Sequence, residues 1–258
     1  MMKNYHTHTT RCYHAIDSEE EYIQKAIKAG FSELGFSDHT PWHYASPYHS
    51  HMRMEEDKLE GYVNTLLLLK EKYKDQISIK IGLECEYFPQ YIPWLKETLE
   101  KYHIDYIILG NHFDDSDEDG IYFGYPLTKK QFTKYVDNCI AAMETGLYSY
   151  IAHPDIANYD TSDPFYKKEM KRLCLKAKEC DMPVEFNLLG FQEKRQYPNE
   201  VFFSIAKEVG NKVILGVDAH ESDALANTEL FQTGLNWLKE RGLEVTDHIR
   251  FLTDNKGE

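Results

Sequence analysis

The sequence predicts an α/β fold in which seven parallel strands alternate with helices and close into a TIM-like barrel. Short apolar runs rich in β-forming residues alternate with longer helical segments throughout the 258 residues. This alternation is typical of parallel βαβ units. Seven such units in about 250 residues fit one barrel better than two separate domains. We therefore predict a single barrel domain over residues 1–258, with an open doubly wound sheet as the alternative.

The predicted strands and helices follow each other in strict alternation. The strands are expected at 3–9, 33–37, 77–87, 106–110, 148–152, 184–187 and 213–217. The helices are expected at 18–29, 55–74, 92–102, 129–145, 165–180, 199–209 and 229–241. Ser18 with Glu21 three residues later is a capping-box pattern at a helix start. Glycines stand where helices should end, at Gly30, Gly146, Gly210 and Gly242.

Composition excludes several classes of function. The chain has 29 basic and 43 acidic residues, a formal net charge of −14. Nucleic acids and anionic membranes favour clustered Lys and Arg, so neither partner is expected. The apolar run 66–69 is far too short to span a membrane, and the first residues lack the apolar part of a secretory signal. Five cysteines without C-x-x-C spacing predict a reduced, cytoplasmic protein.

Metal-ligating residue types stand at the carboxyl ends of six of the seven predicted strands. His6 and His8 close the first strand, and residues two apart in a strand face the same side. His14 follows in the next loop. The other five strand ends carry Asp38-His39, Glu84-Cys85-Glu86, Asn111-His112, His153-Pro154-Asp155 and Asp218-Ala219-His220. Barrel enzymes build their active sites at this end of the barrel, so these side chains are expected to converge.

A lone histidine at a strand end is more often an ordinary polar residue, and His43, His49, His51, His103 and His248 are interpreted in that way. Many ionisable groups buried together would be unfavourable unless cations compensated them. Imidazole and carboxylate ligands suit Zn²⁺, Mn²⁺ or Fe²⁺. Seven histidines and at least two carboxylates exceed one tetrahedral shell, which predicts two or three divalent ions. Clustered ions of this kind activate water and polarise phosphoryl oxygens, so the pattern predicts hydrolysis.

These motifs resemble the polymerase-and-histidinol-phosphatase (PHP) superfamily. The matching pieces are His6-Thr7-His8, His14, Asp38-His39, Glu84, Asn111-His112, Ala152-His153-Pro154-Asp155 and Gly216-Val217-Asp218-Ala219-His220. They follow the order of the family over almost the whole chain. Within the superfamily, the chain is most similar to the histidinol-phosphate phosphatases, judged by its length, by Gly-Phe-Ser-Asp-His-Thr-Pro at 35–41 and by Gly110-Asn111-His112-Phe113.

The resemblance implies a distorted seven-stranded (β/α) barrel with a trinuclear metal site. One ion would be bound by His6, His8, Glu84 and Asp218, a second by Glu84, His112 and His153, and a third by His14, His39 and His220. The implied reaction is hydrolysis of L-histidinol phosphate to L-histidinol and phosphate, a step of histidine biosynthesis. Two other function classes stay open. One is a phosphoesterase acting on a nucleotide or another small phosphate ester, and the other is a metal-binding module without catalysis.

A phosphate monoester also needs cationic side chains, and arginine is the better bidentate partner. Arg195 follows the sixth predicted strand on the catalytic face. We expect it to contact the phosphate as a catalytic and substrate-binding residue beside the metal-binding Glu84 and Asp218. Arg11 and Arg53 are further candidates for substrate binding.

Two other roles are left with alternatives. The acidic run 114–119, with Tyr122 and Phe123 nearby, either binds the amine of the substrate or is an ordinary solvated loop. Asp38 and Asp155 are either candidates for the general acid or carboxylates that orient the ligand histidines.

Overall fold

Eight parallel strands form a single curled sheet in the structure, a computed structural model that describes residues 2–257. Each strand pairs with the next one in the chain. The strands are β1 (Met2–Asn4), β2 (Phe31–His39), β3 (Ser78–Cys85), β4 (Tyr106–Leu109), β5 (Tyr150–Ile151), β6 (Val184–Asn187), β7 (Lys212–Gly216) and β8 (Glu244–Val245). The predicted α/β fold is therefore confirmed, and the curled parallel sheet is consistent with a distorted TIM-like barrel.

The helices lie between the strands as the alternation predicts. They are α1 (Glu19–Ala29), α2 (Leu59–Tyr73), α3 (Ile92–Lys101), α4 (Lys129–Glu144), α5 (Pro164–Glu179), α6 (Leu188–Glu193), α7 (Glu200–Val209), α8 (Ser222–Ala226) and α9 (Thr228–Glu240). Short 3₁₀ segments occur at Thr10–Cys12, Glu56–Lys58, Pro89–Tyr91 and Leu252–Gly257. The short helices α6 and α8 are additions to the predicted set. None of the helices in the described part of the chain is long and apolar enough to cross a membrane.

The predicted helix signals have the expected geometry. The Glu21 carboxylate accepts a hydrogen bond from the Ser18 backbone N–H at 2.8 Å, and the Ser18 hydroxyl accepts one from the Glu21 N–H at 3.4 Å. This reciprocal capping box satisfies two backbone donors at the start of α1. Gly30 ends the helix with φ of 87°, a left-handed conformation that costs a residue without Cβ little.

The sheet has eight strands rather than the predicted seven. The additional strand β8 has only two residues, which pair with Lys212 and Val213 at the start of β7. At the opposite end of the sheet, Thr7 and Ala219 form a parallel bridge just beyond β1 and β7. This bridge brings the first and seventh strands together at their carboxyl ends.

Apolar side chains pack on both faces of the sheet. The larger core lies between the strands and the helices, and a smaller cluster fills the concave face around Tyr5, Tyr106, Ile108 and Tyr150. The Tyr106 hydroxyl lies within hydrogen-bond distance of the backbone carbonyls of two other segments, Tyr5 at 2.8 Å and Phe36 at 3.0 Å. This filled interior leaves the carboxyl ends of the strands as the place for a site.

Candidate metal centre

Glu84 lies at the centre of a cluster of buried imidazoles. One of its carboxylate oxygens, Oε1, lies 2.9 Å from His153 Nε2 and 3.4 Å from His112 Nε2. The other, Oε2, faces three different rings: His39 Nδ1 at 3.1 Å, His8 Nε2 at 3.4 Å and His6 Nε2 at 3.6 Å. The two oxygens thus divide the imidazoles into two groups, as a carboxylate shared between two ions would.

Asp218 is the second carboxylate of the cluster. Its Oδ1 lies 3.3 Å from Nε2 of both His6 and His8, and 3.5 Å from His220 Nδ1. His14 lies at the outer edge of the cluster, where its ring centre is 4.8 Å from that of His220. The structure therefore brings together all nine residues that the sequence predicts as ligands.

Triads of potential ligand atoms lie within 4.8 Å of one another in several places. They include His6 with His8 and Glu84, His6 with His153 and Asp218, and His8 with His39 and His220. A further group joins His14 and His220 to the thiol of Cys12, a residue outside the predicted ligand set.

The hydrogen bonding of the cluster fits metal ions. His6 Nε2, His39 Nδ1 and Glu84 Oε2 are buried and have no hydrogen-bond partner among the residues that the structure describes. His39 Nδ1 and Glu84 Oε2 lie 3.1 Å apart without hydrogen-bond geometry. Orphaned buried polar atoms are costly, and several lone pairs directed at a common space are what a cation requires. These residues therefore fit the divalent ions expected from the sequence.

Backbone geometry at the strand ends allows the ligands to converge. His153 and Asp218 have positive φ angles of 28° and 54°, which are unfavourable for residues with a Cβ. Two glycines leave space for carboxylates: a Cβ on Gly110 would lie 2.0 Å from Glu84 Oε1, and one on Gly216 would lie 1.7 Å from an oxygen of Glu185. The site therefore depends on two backbone features: the positive φ angles that point His153 and Asp218 toward the cluster, and the absence of side chains at Gly110 and Gly216.

Buried carboxylates outside the predicted set hold the ligand rings. His6 Nδ1 lies 2.7 Å from Glu185 Oε1, and Glu185 Oε2 accepts from the His153 backbone N–H at 2.8 Å. His112 Nδ1 lies 3.2 Å from Glu86 Oε1. A carboxylate on the second ring nitrogen fixes the tautomer and orientation of a ligand histidine. The sequence signal for Glu185 is an acidic residue within β6, and for Glu86 it is an acidic residue two positions after the predicted ligand Glu84.

Asp38 belongs to the same group of supporting carboxylates. It is fully buried, accepts from the backbone N–H of Thr9 at 3.3 Å and of His39 at 3.1 Å, and lies 3.7 Å from His8 Nδ1. Asp155 instead accepts from the Asn199 backbone N–H at 2.6 Å, and burial raises its pKa to about 7. Neither carboxylate lines the cavity described below. Of their two predicted roles, the position of Asp38 favours orientation of a ligand.

The charges of the cluster are strongly coupled. Burial lowers the pKa of His6, but the carboxylates of Asp218, Glu185 and Glu84 together raise it well above its usual value. Burial raises the pKa of Glu84, but nearby imidazoles lower it well below its usual value. Burial and the neighbouring His8 lower the pKa of His220 to about 3. Protons and metal ions therefore compete for the same lone pairs, because a ligand imidazole must be neutral.

A cavity of about 340 Å³ opens beside the cluster and is lined by every predicted ligand except His6. The rest of its lining is formed by Met52, Tyr122, Ile156, Leu189, Glu193, Arg195 and Tyr197. Arg195 thus lies where the sequence analysis expects it. Its guanidinium donates through Nη1 to the Tyr197 hydroxyl at 2.8 Å and through Nε to Glu193 Oε2 at 2.7 Å, and Nη2 also lies 2.7 Å from Glu193 Oε2.

The other two arginines lie outside the cavity, so the geometry does not support their expected contact with the substrate. Arg53 is fully buried, and its donors are taken by Glu86, Asp117 and the Thr40 carbonyl. Arg11 Nη2 instead lies 3.1 Å from Glu19 Oε1 in α1 and donates to the Thr65 hydroxyl in α2 at 3.2 Å.

The acidic run 114–119 also lies away from the cavity lining. Asp117 pairs with Arg53 at 3.0 Å, and Asp115 lies 3.4 Å from Lys134. Of the two neighbouring aromatic residues, Tyr122 lines the cavity, whereas Phe123 is buried in the core. These positions do not favour binding of the substrate amine by this run, and the buried pair of Asp117 with Arg53 shows that the run is not an entirely solvated loop either.

Comparisons with known proteins agree with this geometry. The sequence profile of the PHP domain matches residues 4–188. The probable histidinol-phosphatase of Deinococcus radiodurans is 26% identical over 237 residues, covering 84% of this chain and 85% of that protein. The histidinol-phosphatase of Bacillus subtilis is 25% identical over 250 residues, covering 84% of this chain and 92% of that protein.

A solved structure shares the fold. The histidinol phosphate phosphatase of Lactococcus lactis, crystallised with zinc, L-histidinol and phosphate, matches with a TM-score of 0.74 at 16% identity, covering 96% of this chain and 98% of that chain. The profile match extends over well more than half of the sequence, from β1 into α6. The chain therefore belongs to the PHP domain family.

Proposed function

We propose that this protein is a metal-dependent phosphomonoesterase that hydrolyses L-histidinol phosphate to L-histidinol and phosphate. The observation that carries the proposal is the placement of Arg195, which lies in the same cavity as the imidazole and carboxylate cluster. A phosphate monoester is an anion that both features attract, the cluster through its ions and the arginine through its guanidinium.

The residues that would hold the ions are those of the predicted shells. Glu84 would be shared by two ions, the first also held by His6, His8 and Asp218 and the second by His112 and His153. His14, His39 and His220 would hold the third. Bound divalent ions supply Lewis-acid polarisation of the phosphoryl oxygens and an activated water for attack on phosphorus.

The protein itself positions and neutralises the ester. Arg195 offers charged donors for the equatorial oxygens of the phosphoryl group, where negative charge must be stabilised. The Tyr197 hydroxyl accepts from Arg195, which leaves its own proton free to donate into the cavity. Burial raises the pKa of Tyr197, so it acts as a neutral donor. Met52, Ile156 and Leu189 line the cavity with apolar groups that exclude water from the leaving alcohol.

The choice of histidinol phosphate is supported by the relatives. Two curated relatives that match most of this chain carry the name histidinol-phosphatase. The related structure from Lactococcus lactis was solved with zinc and with L-histidinol and phosphate, the two products of this reaction. A cavity of about 340 Å³ is of the size that small-molecule sites have.

A substrate panel with metal analysis of the same sample tests this function. The protein is expected to contain two or three divalent ions, or to be activated by added Zn²⁺, Mn²⁺ or Fe²⁺. Its kcat/KM for histidinol phosphate should exceed that for p-nitrophenyl phosphate and for a mononucleotide. Equal values would show that the substrate is wrongly assigned, and no phosphatase activity with metals fully loaded would favour a module without catalysis.

A further inference from the structure

We infer that Glu193 binds a positively charged group on the substrate, so that the preferred esters carry an amine near the phosphate. The inference rests on the proposed phosphatase function and adds a specificity-determining residue to it. Glu193 is the last residue of α6 and lines the same cavity as the metal cluster. Of the three carboxylates that line the cavity, it alone lies outside the predicted metal shells.

The local backbone builds an ion pair into the cavity wall. Lys194 ends α6 in a left-handed conformation with φ of 55°, and the Arg195 N–H donates to the Gly190 carbonyl at 3.0 Å. This turn places Glu193 and Arg195 side by side, with Nε and Nη2 both 2.7 Å from Glu193 Oε2. The other oxygen, Oε1, has no hydrogen-bond partner among the described residues. Glu193 therefore has a free acceptor while its pair with Arg195 is formed.

Binding of a phosphate to Arg195 weakens the ion pair between Arg195 and Glu193. When the phosphoryl oxygens draw on the Arg195 donors, Glu193 loses its partner and lies beside a second anion. An ester without a cation would leave this repulsion in place, whereas an ester with an ammonium group would supply the missing charge. The pair Glu193–Arg195 is then replaced by two pairs with the substrate, ammonium on Glu193 and phosphate on Arg195.

Among the described residues, the rest of the cavity lining offers no further anionic partner for such an amine outside the metal cluster. Apart from Glu193 and Arg195, it consists of Met52, Tyr122, Ile156, Leu189 and Tyr197. Glu84 and Asp218 also line the cavity, but they lie 3.6 Å or less from several imidazoles and face the metal cluster. The geometry thus assigns the amine to Glu193 and the apolar body of the substrate to the aromatic and aliphatic side chains.

Matched substrates with and without the amine test this inference. We would compare wild type with Glu193→Gln on histidinol phosphate and on imidazolylpropyl phosphate, its analogue without the amine. The variant should lose about tenfold in kcat/KM on histidinol phosphate, mainly through a higher KM, since a hydrogen bond to a charged group is worth about that factor. On the analogue, which has no amine for Glu193 to bind, the variant should lose much less, so that the wild-type preference for the amine is largely lost.

Controls separate this result from misfolding and from failure of the proposed function. Glu200→Gln removes a carboxylate from a surface pair with Arg241 and should leave kcat/KM unchanged on both substrates. Metal content should be equal in all three proteins. Phosphoethanolamine and ethyl phosphate form a second matched pair that contains no imidazole.

The results on the two matched substrate pairs decide whether Glu193 binds the amine. If wild type prefers the amine in both pairs and Glu193→Gln loses that preference, the inference holds, even if histidinol phosphate proves a poor substrate. If the preference persists in Glu193→Gln, or if wild type shows none in either pair, the inference is overturned. The proposed function is judged separately, by the rate of the wild type on histidinol phosphate.

Discussion

Glu84 is the single residue on which the proposed centre most depends. Its two oxygens face five imidazoles between 2.9 and 3.6 Å, more than any other side chain of the cluster contacts. Asp218, by comparison, approaches three rings through one oxygen and accepts at Oδ2 from the Asn187 amide at 3.0 Å. A change at Glu84 should therefore disturb two ions, whereas a change at the edge of the cluster should disturb one.

We predict that Glu84→Ala lowers both metal content and activity more than His14→Ala. The first substitution removes the anion that two ions share, and the second removes one outer ligand. Because changes to residues that merely support ligands cost about 10- to 100-fold, the loss of kcat in Glu84→Ala should be at least about 100-fold. Elemental analysis and steady-state kinetics of both variants would check this. Equal metal loss in the two proteins would argue against a bridging role.

Arg195 should act on the phosphate and not on the metals. We predict that Arg195→Lys lowers kcat/KM for p-nitrophenyl phosphate by about tenfold, because a single ammonium does not reproduce the bidentate contact of a guanidinium. Metal content should be that of the wild type, since Arg195 touches Glu193 and Tyr197 and none of the predicted ligands. An Arg195→Ala enzyme with unaltered kcat/KM would refute this role.

The carboxyl ends of the strands supply both the predicted ligands and the space that their side chains need. Glu84 on β3 extends across β4 toward the position that a side chain of Gly110 would occupy. Glu185 on β6 occupies the corresponding space at Gly216, just after Leu215 of β7. In each of these two strand pairs, a carboxylate on one strand lies beside a glycine on the next. The glycine has no side chain, so it leaves room for the buried carboxylate.

We predict that Gly110→Ala disrupts the metal centre while leaving most of the fold intact. Its Cβ would lie 2.0 Å from Glu84 Oε1, so the carboxylate must move. Metal content and activity should fall together. Gly61→Ala in α2 is the matched control, because nothing lies within 4 Å of its added Cβ. That change should stabilise the protein by up to about 1 kcal/mol through helix propensity. Wild-type metal content in Gly110→Ala would contradict the prediction.

The segment between β2 and α2 is held to β3 by a buried ion-pair network. Arg53 donates to Glu86 at 2.7 Å and to Asp117 at 3.0 Å, and Trp42 donates to the other oxygen of Glu86 at 2.9 Å. The Glu86 carboxylate also faces His112 Nδ1. The network therefore connects an arginine outside the cavity to the orientation of a predicted ligand.

We predict that Arg53→Met destabilises the protein by about 3–5 kcal/mol, because it leaves buried carboxylates without a counter-charge. Chemical denaturation would measure the free energy of unfolding. Removing the arginine of the exposed pair Arg241–Glu200 should cost no more than about 1 kcal/mol. The double variant Arg53→Met with Glu86→Gln should be less destabilised than Arg53→Met alone, and a result in the opposite direction would exclude this explanation.

For the molecule as a whole, the sequence predicts the alternation of strands and helices and the strand ends that carry ligands, because periodicity and residue type are local properties. The closure of the sheet is not local. The Thr7–Ala219 bridge joins segments far apart in the chain, and β8 has only two residues, which are too few for a periodic pattern. The burial of Arg53 cannot be predicted for the same reason, since it depends on partners at Glu86 and Asp117 that only the fold brings near.

Burial of so many ionisable groups in one place should make the stability of the entire fold depend on metal. His6, His8, Glu84 and Asp218 are each no more than 5% exposed, and bound ions would give partners to the orphaned atoms among them. Ions that bind the folded chain more tightly than the unfolded chain shift the unfolding equilibrium toward the native state. Each bound ion contributes about 4 kcal/mol when its free concentration is about 1,000 times its Kd.

We therefore predict that exhaustive chelation lowers Tm and that added Zn²⁺ restores it. In a domain of this size, each kcal/mol corresponds to about 2–4 °C, so the shift should be well above the error of a melting curve. Rebinding should also release protons into a weakly buffered solution, because the carboxylates keep imidazoles such as His6 protonated until a metal displaces the proton. Glu84→Ala should respond to chelator and Zn²⁺ far less than wild type. Identical melting of wild type with and without chelator, after elemental analysis has confirmed metal removal, would show that the buried cluster does not depend on ions for its stability.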